Sequence, residues 1–149
     1  MTLIKMDYIT VGEQFKDKED LFRRSAEKAL KLNVITDKQM FLTGLNEREN
    51  EMSTCFEKGI AIPHCRNNSV RNAAVLITRS SNPIKWDDAG NIAQFIIMLA
   101  VPNEGNSTHI KILSSIARKL VDEQFSNKIV TLDSKEEIFN CFKDIELEV

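Results

Sequence analysis

The pattern of apolar and polar positions predicts one strand and two helices in the first third of the chain. Residues 1–16 alternate weakly and predict a short leading strand or extended arm. From Asp17 the apolar residues recur at helical spacing on one face, and Asn33 marks the end of that helix. Thr36–Gln39 fits a capping box in which the threonine hydroxyl caps a second helix. The polar stretch Asn50–Lys58 predicts a loop.

The middle of the chain predicts three strands separated by turns. Ile60–Ile62 is a short apolar run, which Pro63 should end because proline cannot donate to a strand ladder. Ala73–Thr78 predicts a buried strand, followed by turn chemistry at Ser81–Pro83. Phe95–Val101 is apolar on both faces, so we expect it at the centre of the sheet.

The last third predicts a loop over residues 102–107 and two or three helices. A long helix opens near His109, a short one covers Glu123–Val130, and a capping box at Ser134–Glu137 leads the last. The element order is β-α-α-β-β-β-α-α-α, which predicts an α/β/α sandwich of three layers. Because the mid-chain strands are close in sequence, we expect hairpin pairing and a mixed sheet within one domain, residues 1–149.

Composition narrows the class of protein. The net charge is -2 with mixed signs, which argues against a nucleic-acid binder. Three cysteines without a C-x-x-C pair give no support for structural zinc and indicate reduced thiols in a cytoplasmic protein, as does the absence of a signal-like start. The longest apolar run, Phe95–Val101, is too short to span a membrane.

The candidate chemistry lies in two histidines and one arginine. His64 follows a strand end and a proline, where α/β folds build ligand sites, and a neutral imidazole can carry a phosphoryl group. His109 opens a helix, whose free amides attract phosphate. Arg48 falls on the stripe of Phe41 and Gly44, where an arginine is unexpected. Each residue also has a structural interpretation. His64 is then a structural or exposed histidine, His109 a capping or core histidine, and Arg48 an arginine that reaches solvent at a helix end.

Taken together, the three side chains suit a phosphoryl group, since arginine grips phosphate oxygens with two parallel hydrogen bonds. The chain lacks a nucleotide-binding G-x-x-x-x-G-K-S/T loop and the G-x-S-x-G elbow of serine hydrolases. The spacing between His64 and His109 matches no metal-site pattern. A phosphoryl donor other than a nucleotide is therefore favoured.

The sequence resembles the EIIA component of the sugar phosphotransferase system, of the fructose, mannitol and nitrogen-regulatory type. The resemblance centres on the phosphohistidine motif and covers nearly the whole chain in order. The stretches that carry it are Gly59–His64, Leu45–Glu49 with Ser53–Thr54, Pro83–Trp86, Val101–Pro102, and His109–Ile110 with Leu113, Ile116 and Ala117.

The resemblance implies a phosphocarrier. His64 would accept a phosphoryl group on Nε2 from phospho-HPr and pass it to a cysteine of an EIIB domain, and so to a sugar crossing the membrane through EIIC. His109 would orient His64 and its phosphate, Arg48 would stabilise phosphoryl charge, and Thr54 would make a minor contact. No metal or organic cofactor is implied.

Three points stay open. The same family includes regulatory proteins, whose phosphorylation state controls a transporter, a kinase or a transcription regulator by docking. The residue after the motif histidine is often glycine in the family, whereas here it is Cys65, which we interpret as a small, partly buried side chain. The transported sugar is not encoded in this chain if its specificity lies in EIIB and EIIC.

Overall fold

The computed structural model describes residues 3–103 and 108–143, with the side chains of residues 108–110 outside the description. Two short 3-10 turns, Met6–Tyr8 and Glu57–Gly59, accompany the regular elements. These elements are β1 (Ile9–Glu13), α1 (Lys18–Lys31), α2 (Lys38–Glu51), β2 (Ile60–Ala61), β3 (His64–Asn67), β4 (Ala74–Lys85), β5 (Ile92–Pro102), α3 (Thr108–Val121), α4 (Glu123–Ile129) and α5 (Lys135–Phe142).

The sheet is mixed and has five strands, as the clustering of strands in mid-chain predicts. Its order is β1-β4-β5-β2, and β3 also pairs with β5. β4 and β5 are antiparallel, whereas β1 is parallel to β4 and both β2 and β3 are parallel to β5. Apolar side chains fill both faces of the sheet, one core packing under α1 and α2 and the other under α3 to α5. The predicted α/β/α sandwich is confirmed, with β5 at its centre.

At Pro63 the path of the chain differs from the prediction. The sequence places His64 in a loop after a strand that Pro63 ends, but the chain re-enters the sheet at once as β3. Pro63 lies between the two short strands, and its carbonyl accepts from the amide of Leu99 on β5. Proline removes one donor without turning the chain away, so the sheet has one strand more than predicted. His64 is the first residue of β3.

Three boundaries also differ from the prediction. Asp37, not Thr36, caps α2, since its carboxylate accepts from the amide of Met40 while the Thr36 hydroxyl donates to the Ser69 carbonyl. α2 extends to Glu51, into the predicted loop. β4 runs through the predicted turn at Ser81–Pro83, where the register shifts. Such an irregularity tolerates a proline within a strand.

α2 packs very close to β3 because of a glycine. A Cβ built on Gly44 would lie 2.4 Å from Cys65 Sγ and 2.7 Å from Asn67 Nδ2. No other residue type leaves room for this approach. Gly44 is one turn before Arg48, so the contact sets the distance between the end of α2 and the start of β3. Within the described part of the chain, no helix is long and apolar enough to cross a membrane.

Candidate functional site

The imidazole of His64 is held in one tautomer. Its Nδ1 lies 3.0 Å from the carbonyl oxygen of Ile62, which can only accept, so Nδ1 carries the proton. Its Nε2 lies 3.1 Å from Nε of Arg48, which can only donate, so Nε2 carries the lone pair. Both contacts require the same tautomer. The unprotonated nitrogen therefore faces the arginine.

Arg48 is anchored at a second point. Besides the bond to His64, its Nη1 donates to the carbonyl oxygen of Met52 at 2.8 Å. That carbonyl belongs to the residue that ends α2, where free carbonyls favour a cation. The guanidinium is thus fixed beside Nε2 rather than extended into solvent, the alternative that the sequence left open.

Burial favours the neutral form of His64. The imidazole is partly buried, and the resulting desolvation lowers the pKa of His64 below its ordinary value. The hydrogen bond to Ile62 acts in the opposite direction, while the positive charge of Arg48 lowers the pKa further. A neutral imidazole with a directed lone pair is the form that attacks an electrophile.

Glu49 follows Arg48 on α2 and is buried beside the site. Sequence reasoning assigned it no role. It is buried, with 8% of its surface exposed, and its carboxylate accepts three hydrogen bonds. Oε2 accepts from the amide of Thr54 at 2.8 Å and from Nε1 of Trp86 at 3.1 Å, and Oε1 accepts from the Thr54 hydroxyl at 2.7 Å. This network ties the end of α2 to the segment before β2.

A signal for Glu49 exists in the helical spacing. Phe41, Leu45 and Glu49 recur every four residues and are all buried. The predicted stripe followed Gly44 to Arg48 instead, and Arg48 lies at the margin of the buried face. Glu49 is a more informative exception on this helix than Arg48, because a buried carboxylate needs several hydrogen-bond donors.

The structure places the other predicted residues as follows. Thr54 donates two hydrogen bonds to the Glu49 carboxylate. The carbonyl of Thr54 accepts from the amide of Ile62 at 3.0 Å, so Thr54 holds the backbone that precedes His64. His109 lies in the first turn of α3, as predicted, but its side chain is outside the described residues. The proximity of His109 to His64 therefore stays a prediction. Residues 104–107 of the predicted loop before α3 are also outside the description.

Cys65 lies in the packing between β3 and α2. It is buried at 2% exposure against Gly44, and burial raises the pKa of its thiol to about 12. A thiol of that pKa is protonated at neutral pH and is a poor nucleophile. Its position agrees with the interpretation of Cys65 as a small packing residue.

Fold and site together define an α/β sandwich protein in which a partly buried histidine lies beside an arginine. A family model described as "Phosphoenolpyruvate-dependent sugar phosphotransferase system, EIIA 2" matches residues 2–145. The chain belongs to this EIIA family, as the resemblance in its sequence implied.

Curated relatives include both short and long proteins. The chain is 28% identical over 145 residues to the PTS system fructose-specific EIIA component of Haloferax volcanii, covering 97% of this chain and 94% of that protein. It is 25% identical over 146 residues to the PTS system 2-O-alpha-mannosyl-D-glycerate-specific EIIABC component of Escherichia coli, covering 96% of this chain. The chain spans only 22% of that second relative's length.

Solved structures of the family have the same fold. Nitrogen regulatory protein IIA-Ntr from Neisseria meningitidis superposes with a TM-score of 0.81 at 25% identity, covering 92% of this chain and 94% of that one. Enzyme IIAMTL from Escherichia coli, solved in complex with phosphorylated enzyme IIBMTL, superposes with a TM-score of 0.78 at 19% identity, covering 95% and 97%.

Proposed function

We propose that this chain is a phosphocarrier of the sugar phosphotransferase system, in which His64 Nε2 accepts a phosphoryl group from phospho-HPr and passes it to a cysteine of an EIIB component. The observation that carries the proposal is the tautomer of His64, since the proton on Nδ1 leaves Nε2 unprotonated, and its lone pair can exchange the hydrogen bond from Arg48 for a bond to phosphorus. EIIB in turn delivers the group to a sugar entering through the membrane protein EIIC. The free cysteines suit the reducing cytoplasm, where we place the protein.

The proposed step balances without an added acid or base. The lone pair of Nε2 forms a bond to phosphorus while the bond between phosphorus and the donor breaks. The proton stays on Nδ1. Its hydrogen bond to the Ile62 carbonyl oxygen offsets the positive charge that develops on the ring. In the second step a cysteine thiolate of EIIB attacks phosphorus, the N–P bond breaks, and the electron pair returns to Nε2. Such a transfer depends mainly on positioning and charge.

Arg48 has the central supporting role in this proposal. Its guanidinium already contacts Nε2, so a phosphoryl group on that nitrogen would find N–H donors within reach of its oxygens. His109, at the start of α3, would hold the phosphoryl group from the other side. Thr54 would make a minor contact, for which its hydroxyl would have to share or leave its bond to Glu49.

The partner assignment is supported by a related complex and by the surface next to the site. Enzyme IIAMTL was solved with phosphorylated enzyme IIBMTL, and its fold matches this chain. Met52, whose carbonyl holds Arg48, exposes 69% of its surface. This exposed methionine gives the margin of the site an apolar side chain suited to brief docking of HPr and EIIB.

A regulatory role is the second candidate, and one comparison favours it. The structure with the TM-score of 0.81 is a nitrogen regulatory IIA protein. In that role His64 would still accept a phosphoryl group, but the phosphorylated and free forms would differ in docking to a regulator. The two functions therefore share the first step and separate at the second.

The first step is tested by labelling. We expect radiolabelled phospho-HPr to label the wild-type chain at a single histidine and His64→Ala not to be labelled at all, because the acceptor atom is gone. Undiminished labelling of His64→Ala would overturn the proposal. Mixing the labelled chain with candidate EIIB proteins then separates the roles: loss of label to an EIIB cysteine supports transport, and retention with all of them supports regulation.

A further inference from the structure

A second cavity lies at the opposite edge of the sheet from His64. It is a groove of about 370 Å³ between β1 and α1, floored by Leu76 and Thr78 of β4. Binding sites for small molecules span about 300–1,000 Å³, so the groove is large enough for a small ligand. β1 and β3 are on opposite sides of the β4–β5 pair, so the cavity is separate from the site described above.

Lys28 brings a positive charge into this groove without a carboxylate partner. Among the described residues its ammonium forms no ion pair, and it donates one hydrogen bond, 2.5 Å long, to the Thr10 hydroxyl. The side chain is half-buried, and desolvation lowers the pKa of Lys28, with repulsion from Lys135 acting in the same direction. The negative charges of Glu13 and Asp7 act against that shift in the pKa. A bound anion would relieve both the desolvation and the repulsion.

The acidic residues that line the groove are already paired. Glu13 forms an ion pair with Arg24, and Glu27 lies 3.6 Å from the ammonium of Lys38. Their charges are therefore largely offset. The ammonium groups of Lys28 and Lys31 are the lining charges without an ion pair among the described residues, and that of Lys28 is the one bonded to the Thr10 hydroxyl.

Three hydroxyl groups add hydrogen-bonding capacity to the same space. Tyr8, Ser25 and Thr78 line the groove, and within the described part of the chain none of their hydroxyls bonds to another protein group. Tyr8 and Thr78 are buried residues, at 9% and 7% exposure. None of these oxygens is a buried unpartnered atom among the described residues, so the three hydroxyls are open to the groove and available to a polar ligand.

We propose that the groove between β1 and α1 binds a small organic anion that bears hydroxyl groups, such as a sugar phosphate or a hydroxycarboxylate. Lys28 holds its negative charge, the hydroxyls of Tyr8, Ser25 and Thr78 bond to its polar groups, and Leu76 contacts its carbon skeleton. This site is independent of phosphoryl transfer at His64, so failure of one proposal would leave the other unaffected.

Titration of the isotope-labelled full chain followed by backbone amide resonances tests the site. We expect glucose 6-phosphate or citrate to cause saturable shifts in β1 and α1, with a smaller affinity for inorganic phosphate and no response to neutral glucose. Binding by only one of the two organic anions would identify the acidic group that the site prefers. Absence of saturable shifts with both, an equal affinity for inorganic phosphate or glucose, or shifts centred on His64 would overturn the proposal.

Two variants and a matched control locate the binding. Lys28→Gln should weaken the affinity about tenfold or more, the usual effect of losing a hydrogen bond to a charged group. Lys128→Gln removes an exposed charge on α4 and should leave the affinity unchanged. Thr78→Val should also weaken binding but should not lower the midpoint of thermal unfolding, because its hydroxyl bonds to no described protein group. Unchanged affinity in both groove variants would contradict the assignment.

Discussion

At the scale of single residues, the site depends on which ring nitrogen of His64 carries the proton. The carbonyl of Ile62 and the guanidinium of Arg48 select the same tautomer from opposite sides of the ring. The first partner is two residues away in the chain, whereas the second comes from a different element. Sequence reasoning predicted Nε2 as the acceptor only from the family resemblance, and the geometry supplies the physical reason.

The pH dependence follows from the burial of that ring. Because the pKa of His64 is lowered, its proton NMR signals should titrate with a midpoint below the ordinary histidine value of about 6.5. Labelling by phospho-HPr should rise with pH through the same midpoint, since the neutral ring is the nucleophile. The folded chain holds this proton less tightly than the unfolded one. The stability from neutral His64 is therefore present above about pH 6.5 and is lost as pH falls through the lower folded pKa.

The signal of His64 can be assigned with the His64→Ala variant, leaving His109 as the only other histidine. A midpoint at or above the ordinary value would mean that the ring is more hydrated, or the Ile62 bond stronger, than the geometry implies.

At the scale of elements, the meeting of α2 and β3 decides the site. Gly44 lets the helix approach Cys65, and one turn later Arg48 reaches His64. Glu49 then links the end of α2 to Thr54 and Trp86. The helix is thus fixed at two points on either side of the arginine, which explains how a flexible side chain keeps one position.

Gly44→Ala should test this arrangement. The new methyl group would lie 2.4 Å from Cys65 Sγ, so α2 or the side chains of Cys65 and Asn67 must shift, and we expect the free energy of unfolding to fall by about 1–3 kcal/mol. Labelling of His64 should slow as well, because Arg48 moves with the helix. Urea unfolding and the labelling rate are the measurements.

The double variant Gly44→Ala/Cys65→Ala is the control for that clash. It removes the sulfur atom, so part of the lost stability should return in a double-mutant cycle. An additive double variant, or a single variant with an unchanged unfolding midpoint, would show that the contact is not what positions α2.

At the scale of the whole molecule, the site sits apart from the two apolar cores. The cores on the two faces of the sheet consist of aliphatic and aromatic side chains from most of the elements. Arg48 and His64 lie at the margin of this packing, each partly exposed. Substitutions there should affect chemistry more than folding.

Arg48→Ala should therefore stay folded and accept the phosphoryl group slowly, and the family resemblance predicts the same for His109→Ala. For Arg48→Ala we expect a change in unfolding free energy of about 1 kcal/mol, the usual scale for a partly exposed hydrogen bond, and a large loss in labelling rate. Thermal unfolding and labelling kinetics on the same samples are the measurements. If either variant unfolds at assay temperature, its residue serves the fold and not the transfer.

Local periodicity and capping residues were enough to predict the helices, the central strand and the class of fold. α1, α3 to α5 and β5 all match predicted segments. The sequence also identified His64, Arg48 and His109 as candidates, through their unusual positions and the family resemblance.

The contacts that these elements make with one another could not be predicted from the sequence. The re-entry of the chain as β3 after Pro63 depends on pairing with β5, more than thirty residues away. The burial of Glu49 depends on donors from Thr54 and Trp86, and the bond between Arg48 and His64 depends on the close approach at Gly44. Periodicity reports which face of an element is apolar, but it does not report which partner that face meets. Contacts between distant parts of the chain therefore determined the chemistry of the site.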